Sequence, residues 1–242
     1  MRPTFDASGE VLVVTGGARG IGAAVSRAFA DAGGTAVVLD LLAPESTGPS
    51  LHHIEVDVAD RAAVVGAVAN ARRRFGRIDG LVAGAAVQPR VDVVATTEQV
   101  WRQAIDVNLN GVVWSCQAVL PSMLEAGRGS IVLFASGLAT VGRAQAAAYA
   151  ATKGAMIPFA KSLAAEVADR RVRVNVIFPG VIDTPQFQAA NPSGPERDHW
   201  ANTTGIGAPD DVVGPLMFLL SDAATMSGSV LTRDRVFPGE RR

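Results

Sequence analysis

Three histidines, two lysines, one tyrosine and one cysteine are spread over 242 residues, so the side chains most used for metal, redox and nucleophilic chemistry are scarce. The single thiol, Cys116, has no partner for an internal disulfide. It falls in the apolar series Val112, Val113, Cys116, Val119, Leu120, which assigns it to packing rather than to nucleophilic chemistry. His52 and His53 are adjacent, with no spacing to Cys, His or carboxylate that would hold a metal, so they are expected at the surface and no metal is expected. No window approaches the roughly 18 apolar residues that span a bilayer. The opening residues lack the apolar core of a signal peptide. A formal net charge of −1 provides no electrostatic case for nucleic acid or a membrane surface as partner. The expectation is a soluble, cytoplasmic protein acting on a small molecule.

A chain of this length with 48% hydrophobic residues can bury a full core, and it has no linker or internal repeat. A single α/β domain over residues 1–242 is expected. Apolar runs alternate with helical patterns from end to end, which means a doubly wound parallel sheet of about seven strands with helices on both faces. The runs cover residues 10–15, 35–39, 54–56, 78–87, 130–135, 171–178 and 229–231. Helical patterns cover residues 23–32, 61–75, 98–125 and 210–220. The segment 184–208 breaks the alternation with Pro, Asn, Ser, Thr and Gly, and is expected to act as a lid over a substrate.

The first strand runs directly into Gly16-Gly17-Ala18-Arg19-Gly20-Ile21-Gly22 and then a helix. Glycines let the backbone turn tightly and approach a pyrophosphate, while the helix start offers free N–H groups and positive dipole. The second strand ends in Asp40, eighteen residues after Gly22, where a carboxylate accepts from ribose hydroxyls. It would also repel a 2′-phosphate, by about 4 kcal/mol per unit charge at contact distance and a surface-like dielectric. NAD is therefore favoured over NADP, although Arg19 argues the other way. Asp57 and Val58 end the third strand, where they could reach an adenine. The small residues of the fourth strand, Ala85 among them, allow a flat cofactor close to the backbone.

Tyr149 and Lys153 are four residues apart, on one face of a helix. An ammonium beside a phenol favours the phenolate, so Lys153 is expected to draw the Tyr149 pKa down toward a range useful for proton transfer. Ser136, at the end of the fifth strand, could donate to the same substrate oxygen. Asn108 lies inside the pattern 98–125, where its side chain competes for backbone hydrogen bonds, a cost that points to a role. Pro158 is expected to kink the Tyr149 helix.

With these motifs in order, from Thr15-Gly16-x-x-x-Gly20-Ile21-Gly22 to Pro179-Gly180, the chain resembles the short-chain dehydrogenase/reductase family over nearly its whole length. The resemblance implies a catalytic tetrad of Asn108, Ser136, Tyr149 and Lys153. In it, Tyr149 exchanges a proton with the substrate, Ser136 orients and polarises the substrate oxygen, and Lys153 holds the nicotinamide ribose. Asn108 would anchor a water behind Lys153. Gly16, Arg19, Gly20, Ile21, Gly22, Asp40, Asp57, Val58, Ala85, Pro179, Gly180, Ile182 and Thr184, with Asn108, Tyr149 and Lys153, are implied to surround the dinucleotide.

On the substrate side, Gln88, Arg90, Arg143, Gln145, Gln186 and His199 lie in segments that border the substrate in similar proteins. Arg143 or His199 is expected to favour a polar or carboxylate-bearing substrate. The implied function is an NAD-dependent oxidoreductase acting on a secondary alcohol or its ketone, as a homo-oligomer, tetramer or dimer. Two alternatives stay open: an NADPH-dependent carbonyl reductase, and a non-catalytic dinucleotide-binding protein on the same fold. The chain departs from the family at Ala83-Gly84-Ala85-Ala86, where Asn-Asn-Ala-Gly is usual. It departs again at Thr232-Arg233-Asp234-Arg235, where Asp-Gly-Gly is usual near subunit contacts.

Overall fold

Every residue of Val11–Thr15 is buried, and this run forms the first strand, β1. Alternate side chains of a strand face opposite sides of its sheet, so Val11 and Val13 join one apolar cluster while Leu12 and Val14 join another. A strand with core on both faces needs an unbroken apolar run, which explains the run in the sequence. The computed structural model describes residues 4–46 and 48–234. In it the remaining strands are β2 (Thr35–Asp40), β3 (Leu51–Glu55), β4 (Gly80–Ala83), β5 (Gly129–Phe134), β6 (Val172–Phe178) and β7 (Val230–Thr232). All pair in parallel in the order β3-β2-β1-β4-β5-β6-β7.

The helices are α1 (Gly20–Asp31), α2 (Arg61–Phe75), α3 (Glu98–Ile105), α4 (Gly111–Ala126), α5 (Leu138–Val141), α6 (Ala147–Glu166), α7 (Pro185–Ala190), α8 (Pro195–Thr203) and α9 (Val213–Leu220). Val64 and Val68 of α2, Val119 and Met123 of α4, and Met156 and Leu163 of α6 cover one face of the sheet. Val25 and Phe29 of α1 with Leu216 and Leu219 of α9 cover the other. Burying each such side chain contributes about 1.5–3 kcal/mol, and two layers of them hold the sheet in place. Among the described residues no helix is long and apolar enough to cross a membrane.

Three local expectations change. The third strand begins earlier than residue 54 and takes in both histidines, which are half-buried rather than on the open surface. His53 Nε2 lies 3.0 Å from the Asp40 carbonyl, and the His52 ring packs on Phe75 at 4.8 Å between centroids. The pattern 98–125 is interrupted: between α3 and α4 the backbone opens into a π turn over Asp106–Asn110, with the Gly111 N–H bonded to the Asp106 carbonyl. The segment 184–208 carries α7 and α8, each started by a proline in its first turn. Thr97 caps α3, its hydroxyl accepting from the Val100 N–H, and α6 runs through Pro158 as one element of 20 residues.

The strand order reverses beside β1: the chain builds outward through β2 and β3, then returns to place β4 on the other side. In sheets of this kind, the crevice beyond the carboxyl ends of the strands at that reversal is where ligands bind. Here the ends of β1 and β4 meet backbone to backbone. Gly16 has φ +69°, and a Cβ on it would lie 2.7 Å from the Cα of Ala85.

Candidate active site

A cavity of about 1550 Å³ opens along the carboxyl edge of the sheet, from the ends of β2 and β3 across β1 and β4 to β6 and β7. Gly16, Arg19, Gly20, Ile21 and Gly22 line its floor. Helix α1 starts there with no side-chain cap, so its first N–H groups face the cavity without a protein side chain to satisfy them. A Cβ on Gly22 would sit 2.2 Å from the Gly16 carbonyl oxygen, which makes the tight turn possible only without a side chain. An uncapped helix start of this length, with open backbone donors, fits a diphosphate.

At the β2 end, the Asp40 carboxylate accepts from the Ala18 N–H at 3.0 Å and from the Leu42 N–H at 3.0 Å. The acidic residue therefore fixes the glycine turn as well as lining the cavity. Asp57 accepts from the Ala59 N–H at 2.9 Å, and Asp57 and buried Val58 form the wall beyond it. On the opposite side Pro179, Gly180, Ile182 and Thr184 line the cavity. The Thr184 hydroxyl caps α7 through the Phe187 N–H at 3.1 Å, and its methyl packs where a Gly20 side chain would be.

Ser136, Tyr149 and Lys153 line the middle of this same cavity. Ser136 follows β5 by two residues, and its Oγ accepts from the Leu138 N–H at 3.2 Å, leaving the hydroxyl proton available to donate. Lys153 is 3% exposed and its Nζ donates to the Phe134 carbonyl at 3.0 Å. Burial draws its pKa from 10.5 down to about 8. The ammonium lies 5.8 Å from the centre of the Tyr149 ring.

Burial raises the Tyr149 pKa, and the contribution opposing it comes from a hydrogen bond with Ser136. This corrects the expectation that Lys153 draws the phenol down: desolvation prevails, and the lysine is engaged with a backbone carbonyl one strand end away.

Asn108 does not line the cavity; it is fully buried behind it. Its Oδ1 accepts from the Val87 N–H at 2.7 Å, and its Nδ2 donates to the Val87 carbonyl at 2.9 Å and to Thr152 Oγ1 at 3.1 Å. Thr152 in turn donates to the Tyr149 carbonyl at 2.8 Å. The side chain in the π turn thus ties the loop after β4 to the helix turn carrying Tyr149 and Lys153. Single π turns are frequent at functional sites, and this one aims an asparagine into the core.

At the substrate end the structure brings Gln88, Arg143 and Gln186 to the cavity and leaves Gln145 and His199 out of it. Gln145 is exposed, with φ +63° and its carbonyl bound by the Val91 N–H. His199 is also exposed, its ring edge on Trp200 at 5.4 Å, and it is Trp200 that lines the cavity. Arg143 donates to Asn191 Oδ1 at 2.7 Å and lies over the Trp200 ring at 5.6 Å. Its pKa is lowered by burial and then by the neighbouring Arg90. Arg90 stands behind it, reaching the Ala190 carbonyl at 3.3 Å.

Residues 10–194 match the family model described as short chain dehydrogenase, which is most of the chain. The chain belongs to the short-chain dehydrogenase/reductase family. It is 39% identical to a D-threitol dehydrogenase of Mycolicibacterium smegmatis over 233 residues, covering 92% of this chain and 90% of that one. It is 36% identical to the L-fucose dehydrogenase of Mus musculus over 236 residues, covering 91% and 85%. Among solved structures, it superposes on a 3-ketoacyl-(acyl-carrier-protein) reductase from Brucella melitensis, complexed with NADH. That match has a TM-score of 0.85, 26% identity, and covers 93% of this chain and 96% of that one. As a member of this family, the protein is an oxidoreductase for alcohol- or ketone-type substrates that uses a nicotinamide cofactor.

Two departures from the family pattern now have a physical account. Where the short-chain dehydrogenase asparagines are missing, Thr15 does the tying: its carbonyl accepts from the Gly84 N–H at 3.0 Å and its hydroxyl from the Ala85 N–H at 3.4 Å. At the carboxyl end, Thr232 belongs to β7, Arg233 and Asp234 line the cavity, and Arg235 lies outside the described residues. Sequence reasoning missed Arg233, Asp234, Asn191 and Thr152 as site residues. The replaced Asp-Gly-Gly was the signal for the first pair. A threonine directly before Lys153 was the signal for the last.

Proposed function

We propose that this protein is an NAD-dependent dehydrogenase that moves a hydride between the nicotinamide ring and a secondary alcohol or its ketone. The observation that carries the reading is the meeting of Ser136, Tyr149 and Lys153 in one cavity with the glycine turn. Bound at that turn, the dinucleotide supplies the hydride acceptor or donor.

The chain's own residues do the rest. Ser136, whose hydroxyl is hydrogen-bonded to Tyr149, donates to the substrate oxygen once substrate enters between them and so orients and polarises it. As the phenolate, Tyr149 takes the alcohol proton during oxidation, and as the phenol it gives a proton to the ketone oxygen during reduction. Lys153 holds the ribose hydroxyls and keeps positive charge beside the phenol when Tyr149 ionises. Asn108 and Thr152 set the pose of that helix turn from behind. Gly16, Ala85 and the Pro179-Gly180 turn give a flat ring close access to backbone, and Thr184 closes over it.

Asp40 supports NAD over NADP, since a carboxylate fixed by two N–H groups cannot turn aside for a 2′-phosphate. Arg19, which lines the same end, favours the second reading, an NADPH-dependent reductase. The segment 184–208 acts as the lid of a single domain. Exposed Val93, Val94 and Trp101 offer apolar surface to a further copy of the chain, in keeping with a dimer or tetramer.

The test is turnover by the purified full chain with NAD+ and with NADP+, across a panel of secondary alcohols, followed by absorbance of the reduced nicotinamide. NAD+-linked oxidation lost in Tyr149→Phe is the expected result. A clear NADP+ preference would overturn the cofactor assignment, and cofactor binding without any turnover would leave a binding protein.

A further inference from the structure

We propose that Arg233 recognises a carboxylate on the substrate, so that the preferred substrate is a small hydroxy acid or its oxo acid. The proposal rests on Ser136 and Tyr149 being the reacting site. Register along the sheet supplies the geometry: Phe134 pairs with Ile177 on β6, and Phe178 pairs with Thr232 on β7. The residues just beyond these strand ends therefore lie level, with Ser136 beside Pro179 and Pro179 beside Arg233. Two strand spacings separate the Ser136 and Arg233 backbones, about 10 Å. The Arg233 NH1 donates to the Pro179 carbonyl at 2.9 Å, which holds the guanidinium at the end of β6, and Arg233 lines the same cavity as Ser136.

The group is also held. The Arg233 N–H donates to the Phe178 carbonyl at 3.1 Å, so backbone and side chain grip successive carbonyls. A guanidinium carries five N–H donors, and a clamp on one carbonyl needs only one of them. Among the described residues no carboxylate lies within ion-pair distance of Arg233; Asp234, next in the chain, is exposed at the cavity rim. A pre-positioned arginine fork with donors to spare matches a carboxylate better than a neutral hydroxyl.

Lactate, β-hydroxybutyrate and γ-hydroxyvalerate, each against its methyl ester, form the test. Binding to the full chain with saturating NAD+ is measured by calorimetry and turnover by reduced nicotinamide, in wild type, Arg233→Gln and Arg233→Lys. For at least one pair the acid should bind about tenfold tighter than the ester, the size of one hydrogen bond between charged groups. Arg233→Gln should bring that ratio close to one, and Arg233→Lys should keep part of it. An unchanged ratio in Arg233→Gln overturns the proposal. So does ester binding as tight as acid in all three wild-type pairs.

Equal weakening of acid, ester and NAD+ in the variant marks Arg233 as a clamp on the turn alone, and overturns it too. If Arg233→Gln does not fold, salt decides: acid affinity in wild type must fall with ionic strength while ester affinity holds. Acid preference that Arg233→Gln removes, seen without turnover, leaves carboxylate recognition by Arg233 standing and removes the dehydrogenase reading. Turnover without acid preference does the reverse.

Discussion

Lys153 donates its hydrogen bond to the carbonyl of Phe134, 3.0 Å away, and this ties the ammonium to the end of the strand that also delivers Ser136. One backbone unit thus fixes two of the reacting groups relative to each other. The arrangement costs stability, because a 3%-exposed lysine is stripped of water with one carbonyl in compensation.

That cost has a pH signature. Unfolded, Lys153 holds its proton up to its ordinary pKa of 10.5; folded, burial makes it release the proton near about 8. Between those values the unfolded chain binds more protons, so stability rises with pH across the window and the full penalty is present below it. The gain is about 3 kcal/mol from this group. Tyr149, shifted upward by burial, binds its proton more tightly when folded and works in the opposite sense only above its ordinary 10.0. Urea unfolding at stepped pH should therefore show Lys153→Met more stable than wild type at pH 7, with the difference vanishing toward the lysine's unfolded pKa. A wild-type advantage at neutral pH would contradict the burial argument.

Asn108 is the second place where function and packing meet. Asn108→Ala removes three hydrogen bonds at once and leaves the N–H and carbonyl of half-buried Val87, at the cavity wall, without their side-chain partner. An unsatisfied buried group costs about 1–3 kcal/mol, and because water in the cavity can reach Val87 a total loss of about 1–3 kcal/mol is expected. Thr152→Val should cost less alone, and still less in the Asn108→Ala background. A double-mutant cycle by denaturant unfolding reads that coupling, and additive losses would show that the two side chains act independently.

Much of this was legible from residues alone, for reasons that differ by element. The parallel sheet follows from apolar runs that need core on both faces, and the glycine turn follows from backbone that tolerates no Cβ; the order of the strands does not follow from the runs. Tyr149 and Lys153 could be paired because helix spacing is local. What sequence could not carry was anything set by tertiary contact. The sign of the Tyr149 shift depends on how deeply the phenol is buried against how near the ammonium stands. The π turn at Asn108 leaves the apolar periodicity of residues 98–125 intact and so has no pattern of its own. His199 and Trp200 are adjacent, and only the packing of α8 decides that the ring facing the cavity is Trp200. Arg233 is brought to the site by β7 pairing, more than fifty residues from Pro179, which it grips.

Asp40 should govern the choice of dinucleotide. Replacing it with Ser removes the charge that opposes a 2′-phosphate and leaves Arg19 as the nearby cation. The ratio of kcat/KM for NADP+ to that for NAD+ should rise by about one to two orders of magnitude, less than the unscreened repulsion because the site opens to solvent. Ala18 and Leu42 also lose an acceptor, so affinity for both dinucleotides should weaken somewhat. Asp40→Asn keeps an oxygen acceptor and separates the two effects. It should raise the ratio with a smaller loss of NAD+ affinity, and an unchanged ratio in both variants would remove Asp40 from cofactor selection.

The segment 184–208 is joined to the catalytic body through Arg143. The guanidinium bonds Asn191, which is 1% exposed and donates onward to the Phe187 carbonyl at 2.9 Å, and it lies over the Trp200 ring, so one side chain reaches both helices of the segment. A cation over an indole contributes about 0.5–2 kcal/mol and a charge-assisted hydrogen bond about 1.5–3 kcal/mol. Breaking both in Arg143→Ala should loosen α7 and α8 without touching the glycine turn on the far side of the cavity. Protease cleavage within 184–208 should become faster by about tenfold or more, in line with the lost interactions. The alcohol KM should rise while NAD+ affinity by fluorescence titration changes little. Trp200→Leu removes only the stacking contact and should give a smaller effect of the same kind. Equal loss of NAD+ and alcohol affinity would mean that Arg143 supports the whole cavity rather than the segment above the substrate.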